Sequence, residues 1–326
     1  MRETVVKGGL GMLKQVIEVM ELIDDATVSG NKVKGFLVQR GLEDVSTLTV
    51  KGEQGSTDFV KILVRGREGK SVGGNAPTLG VIGRLGGLGA RPEMIGMVSD
   101  VDGAVTALAV ALKLADMRVK GDVLDGDVII CTHICPNAPI EPHDPAPFMG
   151  SPVDMQTMNK MEVDPAMDAI LSVDTTKGNR ILNERGFAIT PTIKDGYILK
   201  VSEPLLDIME VVTGKPPVVL AITMQDITPY GHGIYHLNSI VQPCTATSAP
   251  VVGVGITTQV PVPGCATGAS HEVDIELASR FVMEVAKAFG RGTCKFFDER
   301  EWKTMTALYG SMEHLKTLGK QTSVSD

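Results

Sequence analysis

Four short aliphatic runs limit what this chain can become: "LGVIG" (79–83), "DVIICTHI" (127–134), "AILSV" (169–173) and "APVVGVGI" (249–256). Each is too short for a helix that could bury itself. None alternates apolar with polar residues, so each predicts a strand covered on both faces. Helical patterns lie around them. In "SDVDGAVTALAVALKLADM" Val105, Leu108, Leu112 and Ala115 form one apolar face. In "LKQVIEVMELI" the stripe is Leu13, Val16, Ile17, Met20 and Ile23. "PLLDIMEVVTG" reads as a helix stopped at Gly214, and "VDIELASRFVMEVAKAFG" as a longer one with Leu277, Phe281, Val285 and Phe289 on its inner face. "DFVKILVRG" and "PPVVLAITM" read as further strands. Strands alternating with helices predict an α/β fold, three layers α/β/α around a mainly parallel central sheet. One such domain is expected over residues 1–326, with a more polar segment wrapping the surface after about residue 290.

The remaining bulk properties remove whole classes of function. The net charge is -8 with acids and bases interspersed, and aromatic residues are 4% of the chain, which argues against a nucleic-acid surface. No run of about 18 apolar residues exists to span a membrane. The first 20 residues lack the apolar core and cleavage site of a signal peptide. Five cysteines, an odd number without scaffold spacing, suit reduced thiols, so a cytoplasmic location is expected.

"CTHIC" puts Cys131, His133 and Cys135 on one face of a strand. Side chains two residues apart on a strand stand about 7 Å apart, too far for all three to bind one zinc. Cys131 and Cys135 therefore read as core thiols. His133 is open between a hydrogen-bonded core histidine and a proton-moving base or ligand of a site assembled elsewhere. Asp100 and Asp102 precede the helix of residues 103–117, and Asp174 ends a strand. These acids are either caps and turn formers or site residues, because open parallel sheets place their sites at the carboxyl ends of strands. "DITPYGHGIYHLNSI" carries Asp226, His232 and His236 in a stretch whose Gly and Pro favour a loop. Cys265, six residues before His271, reads as a buried thiol rather than a nucleophile. "GRLGGLG" lacks the Lys-Ser/Thr of a phosphate loop.

From about residue 10 to 290 this order of segments resembles the co-catalytic zinc aminopeptidases, especially the glutamyl aminopeptidase type. It also resembles a small bacterial and archaeal family of uncharacterised function related to that fold. The resemblance implies that Asp100, Asp174 and His271 bind one metal, zinc or another divalent ion, or else the substrate itself with no cofactor, with Asp102 competing for the role of Asp100. An alignment anchored on Val273 and Asp274 puts Ala266 or Thr267 in place of His271. His133, His232 and Asp102 would then handle protons, and Arg84, Asp226 and His236 would bind substrate.

Two motifs depart from the pattern. The strand that should deliver His-x-Asp offers Arg84, Leu85 and Gly86, and Pro136-Asn137 stand where a Glu-Glu pair supplies the general base. An arginine there repels a cation and attracts a carboxylate or phosphate. The expectation is a remodelled hydrolase-like enzyme for a small peptide, amino-acid amide or similar polar metabolite, and not an efficient two-zinc aminopeptidase. The alternative is a non-catalytic relative used for ligand binding or assembly. A homo-oligomer is expected from the relatives. Asp100, His133 and Asp174 should meet in one cleft at the carboxyl end of the sheet.

Overall fold

A computed structural model describes residues 11–142, 147–228, 234 and 239–316. The chain opens with helices α1 (Leu13–Ile23) and α2 (Gly30–Gln39), strands β1 (Val45–Gly52), β2 (Gly55–Val64) and β3 (Leu79–Gly83), and helix α3 (Asp102–Val119). Next come β4 (Val128–Ile134), the short β5 (Ile140–Glu141) and β6 (Phe148–Met149), α4 (Met155–Glu162) and β7 (Ala169–Thr175). The last part holds β8 (Gly186–Ile189), β9 (Ile193–Lys194), β10 (Tyr197–Ile198), α5 (Glu203–Thr213), β11 (Val251–Thr257), α6 (Glu272–Gly290) and α7 (Glu299–Tyr309).

The four aliphatic runs form the middle of a nine-stranded sheet of order β1-β2-β4-β3-β7-β11-β9-β10, with β8 also paired to β11. Neighbours among β4, β3, β7 and β11 run parallel. Every residue of β3, β4 and β11 is buried, as strands covered on both faces must be. Antiparallel strands close both margins: the β1-β2 hairpin against β4, and β8 and β9 against β11.

The two covers of the sheet differ. On one face α1, α2, α3, α5 and α6 share a single apolar cluster with Val81, Ile130, Leu171 and Val254. The other face, carrying Ile82, Ile129, Cys131 and Ile170, is covered by α4 and by turns around residues 220–227 and 240–246. "PPVVLAITM" contributes one β-bridge there, Val219 to Ile189, rather than a strand; Pro216 and Pro217 have no N–H to extend it. α1 is rotated relative to its expected stripe, burying Val16, Val19 and Ile23 while Leu13 and Ile17 face out. Beyond residue 290, α7 has no buried residue and rests through Trp302 edge-on against Tyr197. No helix among the described residues is long and apolar enough to cross a membrane.

α3 is the central helix, buried nearly all round from Asp102 to Leu112, because it lies between the sheet and α1 and α6. Small residues make this possible, and two glycines set how close it comes. A Cβ on Gly83 would meet the Gly103 carbonyl at 2.6 Å, and one on Gly103 would meet the carbonyls of Val173 and Arg84 at 2.4 and 2.5 Å. The first turn of α3 thus touches the ends of β3 and β7 backbone to backbone.

Gly103→Ala tests this contact. Helix propensity favours alanine by about 1 kcal/mol. Forcing two backbone segments apart costs about 1–3 kcal/mol or more. A lower urea midpoint is expected; an unchanged or higher midpoint would show that the contact has room to relax.

Candidate functional site

The carboxyl ends of β3 and β7 open into a cleft of about 760 Å³. Arg84, Leu85 and Gly86 follow β3, Asp174 to Lys177 end and follow β7, and Asp100 sits in the single turn (Ser99–Val101) that leads into α3. The tip of the β1-β2 hairpin (residues 52–54) and residues 147–155 form further walls, with an apolar lining from Phe148, Met149, Met155 and Met158.

Asp100 and Asp174 share Thr175. Its hydroxyl donates to Asp100 Oδ1 at 3.2 Å, and its backbone N–H donates to Asp174 Oδ1 at 2.7 Å. The Gly86 N–H also donates to Asp100. Burial holds both carboxyls above the ordinary aspartate range. For Asp174 the charge of Asp100 adds to the rise, and the Arg84 guanidinium offsets part of it. Two carboxyls that raise one another in this way titrate as a pair rather than independently.

The cations nearby already have partners. Arg84 is 1% exposed; its Nη1 donates to Glu162 Oε2 at 2.8 Å, and its Nη2 lies on Met155 Sδ. Burial pushes Glu162 up to about 7 against the pull of Arg84. Lys177 Nζ pairs with Asp102 and donates to the Ala269 carbonyl at 3.1 Å. Among the described residues, five acids line the cleft (Glu53, Asp100, Glu141, Asp154 and Asp174), against Arg84 and Lys177. An anionic substrate drawn by Arg84 does not fit that balance.

Of the residues expected to meet here, Asp100, Asp174 and Arg84 do. His133 does not line the cleft. It is fully buried in β4, its Nε2 donating to the Leu85 carbonyl at 2.9 Å and its Nδ1 lying 3.2 Å from Thr57 Oγ1, with Phe59 alongside. Burial pushes it down to about 4, so it is neutral at physiological pH and serves as a core histidine. Asp102 is equally buried and is bound by Lys177, which leaves it no access to substrate. Asp226 caps its own turn by accepting from the Thr223 N–H at 2.8 Å, away from the cleft lining. His271 begins α6, half exposed, with Nδ1 3.4 Å from Asp274 Oδ2, and is absent from the cleft wall. His232 and His236 lie outside the described residues. Cys131 is buried under the second face, while Cys135 and Cys265 fall in a small cluster with Met149.

A metal fits these residues poorly. Among the described residues no three His, Cys, Asp or Glu are grouped to hold an ion. A two-zinc centre needs several such ligands per metal. Here the two cleft carboxyls share Thr175, and the guanidinium that lines the same cleft is paired with Glu162. Sequence reasoning missed Lys177 and Glu162. Lys177 stands three residues past Asp174 and could have been sought there; Glu162 is one acid on a short helix, and nothing local marks it.

A mutant of tomato leucine aminopeptidase shares this fold, with TM-score 0.50 and 12% identity over 84% of this chain. The match spans 61% of that enzyme's length. An aminopeptidase of Legionella pneumophila, LapA, aligns with TM-score 0.42 and 10% identity, over 88% of this chain and 71% of its own. No curated protein sequence matches the chain. Residues 48–319 match the model of the family described as "protein of unknown function (DUF1177)", which is most of the sequence, and the chain belongs to that family.

Proposed function

We propose that this protein is a hydrolase-type enzyme acting on a small peptide, an amino-acid amide or a similar polar metabolite, with Asp100 and Asp174 as its acid–base pair. The observation that carries this reading is their common anchor on Thr175 inside the cleft, which holds one carboxyl through its hydroxyl and the other through its N–H. The fold shared with the tomato enzyme supports the hydrolase-like architecture alone.

The chemistry needs one proton in the pair. The charged member takes a proton from water as the water oxygen bonds to the amide carbon. The protonated member gives its proton to the departing nitrogen as the C–N bond breaks, and the pair again holds one proton. Lys177 has three N–H groups and two acceptors, Asp102 and Ala269, which leaves one donor for the oxygen that gains charge. The acidic rim favours neutral or amine-bearing substrates over anions, and the methionine wall suits an apolar substituent.

Turnover on a panel of amino-acid amides, dipeptides and p-nitroanilides should persist in chelator and follow a bell-shaped pH profile. Asp100→Asn and Asp174→Asn should each lower kcat by about 10²–10⁴-fold. Turnover that vanishes with chelator would restore the two-zinc reading. Ligand binding without turnover, unchanged in both variants, would favour the non-catalytic alternative.

The raised pKa of Asp174 also has a sign for stability. Its folded-state value lies above its unfolded one, so the protonated form suits the fold, and stability falls as pH rises beyond the unfolded value of about 4. Asp174→Asn removes that loss. Its melting temperature should exceed the wild type's at pH 8, and the difference should shrink toward zero at pH 4.

A further inference from the structure

Arg84 stands where the sequence resemblance leads one to expect a metal-binding His-x-Asp, and three contacts fix it there. Its backbone N–H bonds the Val173 carbonyl at 2.7 Å, next to Asp174, continuing the pairing of Gly83 with Val173. Its Nη1 is clamped by Glu162 on α4, and its Nη2 is packed on Met155. Its Nε has no hydrogen-bond partner among the described residues. A guanidinium does not lose its proton in a protein, so this charge is permanent.

We propose that Arg84 is the resident cation of this site: held by Glu162, it brings to the cleft that it lines together with Asp100 and Asp174 the positive charge that a divalent ion would otherwise bring. Two carboxyls gathered on Thr175 at the end of β7 favour a counter-charge when both ionise. In this chain it is covalently attached and braced between the sheet and α4. An ion entering between Asp100 and Asp174 would find two carboxylates and the Thr175 hydroxyl as ligands, with a fixed positive charge next to them. Charges this close repel strongly in a partly dry site. Nothing in this assignment requires the pair to be catalytic.

Metal binding can be read directly, without turnover. Protein purified without chelator would be analysed for bound elements, then titrated calorimetrically with Zn²⁺ and Mn²⁺. The wild type should show no stoichiometric metal that Asp174→Asn removes. Arg84→Gln should bind a divalent ion at least about tenfold more tightly than the wild type, the gain expected from removing a neighbouring like charge. Adding Asp174→Asn should abolish that gain, and Arg84→Lys should behave as the wild type.

Arg84→Gln leaves Glu162 buried without its partner, which can unfold the protein. The double variant Arg84→Met with Glu162→Leu removes both charges and keeps apolar volume, a replacement that folds tolerate well, and it should show the same gain. One metal per wild-type chain, lost with Asp174→Asn, overturns the proposal. So does a folded Arg84→Gln or double variant with unchanged affinity.

Discussion

The first turn of α3 rests directly on the ends of β3 and β7, and the geometry of the cleft depends on that contact. Gly83 and Gly103 lack the Cβ atoms that would hold the helix away, so backbone meets backbone. The residues that lead into the helix are carried to the strand ends with it. Asp100 reaches Thr175 and Gly86, and Asp102 reaches Lys177. A helix standing a side chain further off would leave these acids short of every one of those partners. The same contact fills the space with main chain, so charges brought there lose water and must find partners inside the protein.

The partners are unequally distributed. Asp102 has Lys177 and Glu162 has Arg84, both pairs being buried. Asp100 and Asp174 are held by hydrogen bonds, and Arg84, itself paired with Glu162, offsets only part of the rise at Asp174. Structural ion pairs perturb titration as readily as functional ones do, so a shifted carboxyl alone says little. Here the two acids left over both line the cleft. That coincidence separates them from Asp102 and Glu162, which are fully buried, also raised by burial, and absent from the cleft lining.

Much of the scaffold was legible. Uninterrupted aliphatic runs identified the parallel centre of the sheet, because a strand buried on both faces has no polar face to show. Asp100 and Asp174 could be singled out, since the chain order put them at a helix start and a strand end. Arg84 was legible as a departure from the aminopeptidase pattern, although its partner was not. His133 was left open between core and site, and the structure places it in the core: one strand face holds residues at the cleft and beneath it, and only depth tells them apart. The second cover of the sheet was read less well. α4 is short, and the turns beside it are irregular, so neither has a period from which a packing face follows.

The sequence by itself determined the layered α/β architecture, the order of its central elements and the acids available at the strand ends, because periodicity and local chemistry are properties of neighbouring residues. Tertiary structure decided which of those acids became paired and which remained free. Glu162 lies 78 positions from Arg84, and Lys177 lies 75 from Asp102. Ion pairs across such separations are set by how closely α3 and α4 approach the sheet. No local pattern encodes those distances, and they are what left Asp100 and Asp174 facing the cleft together.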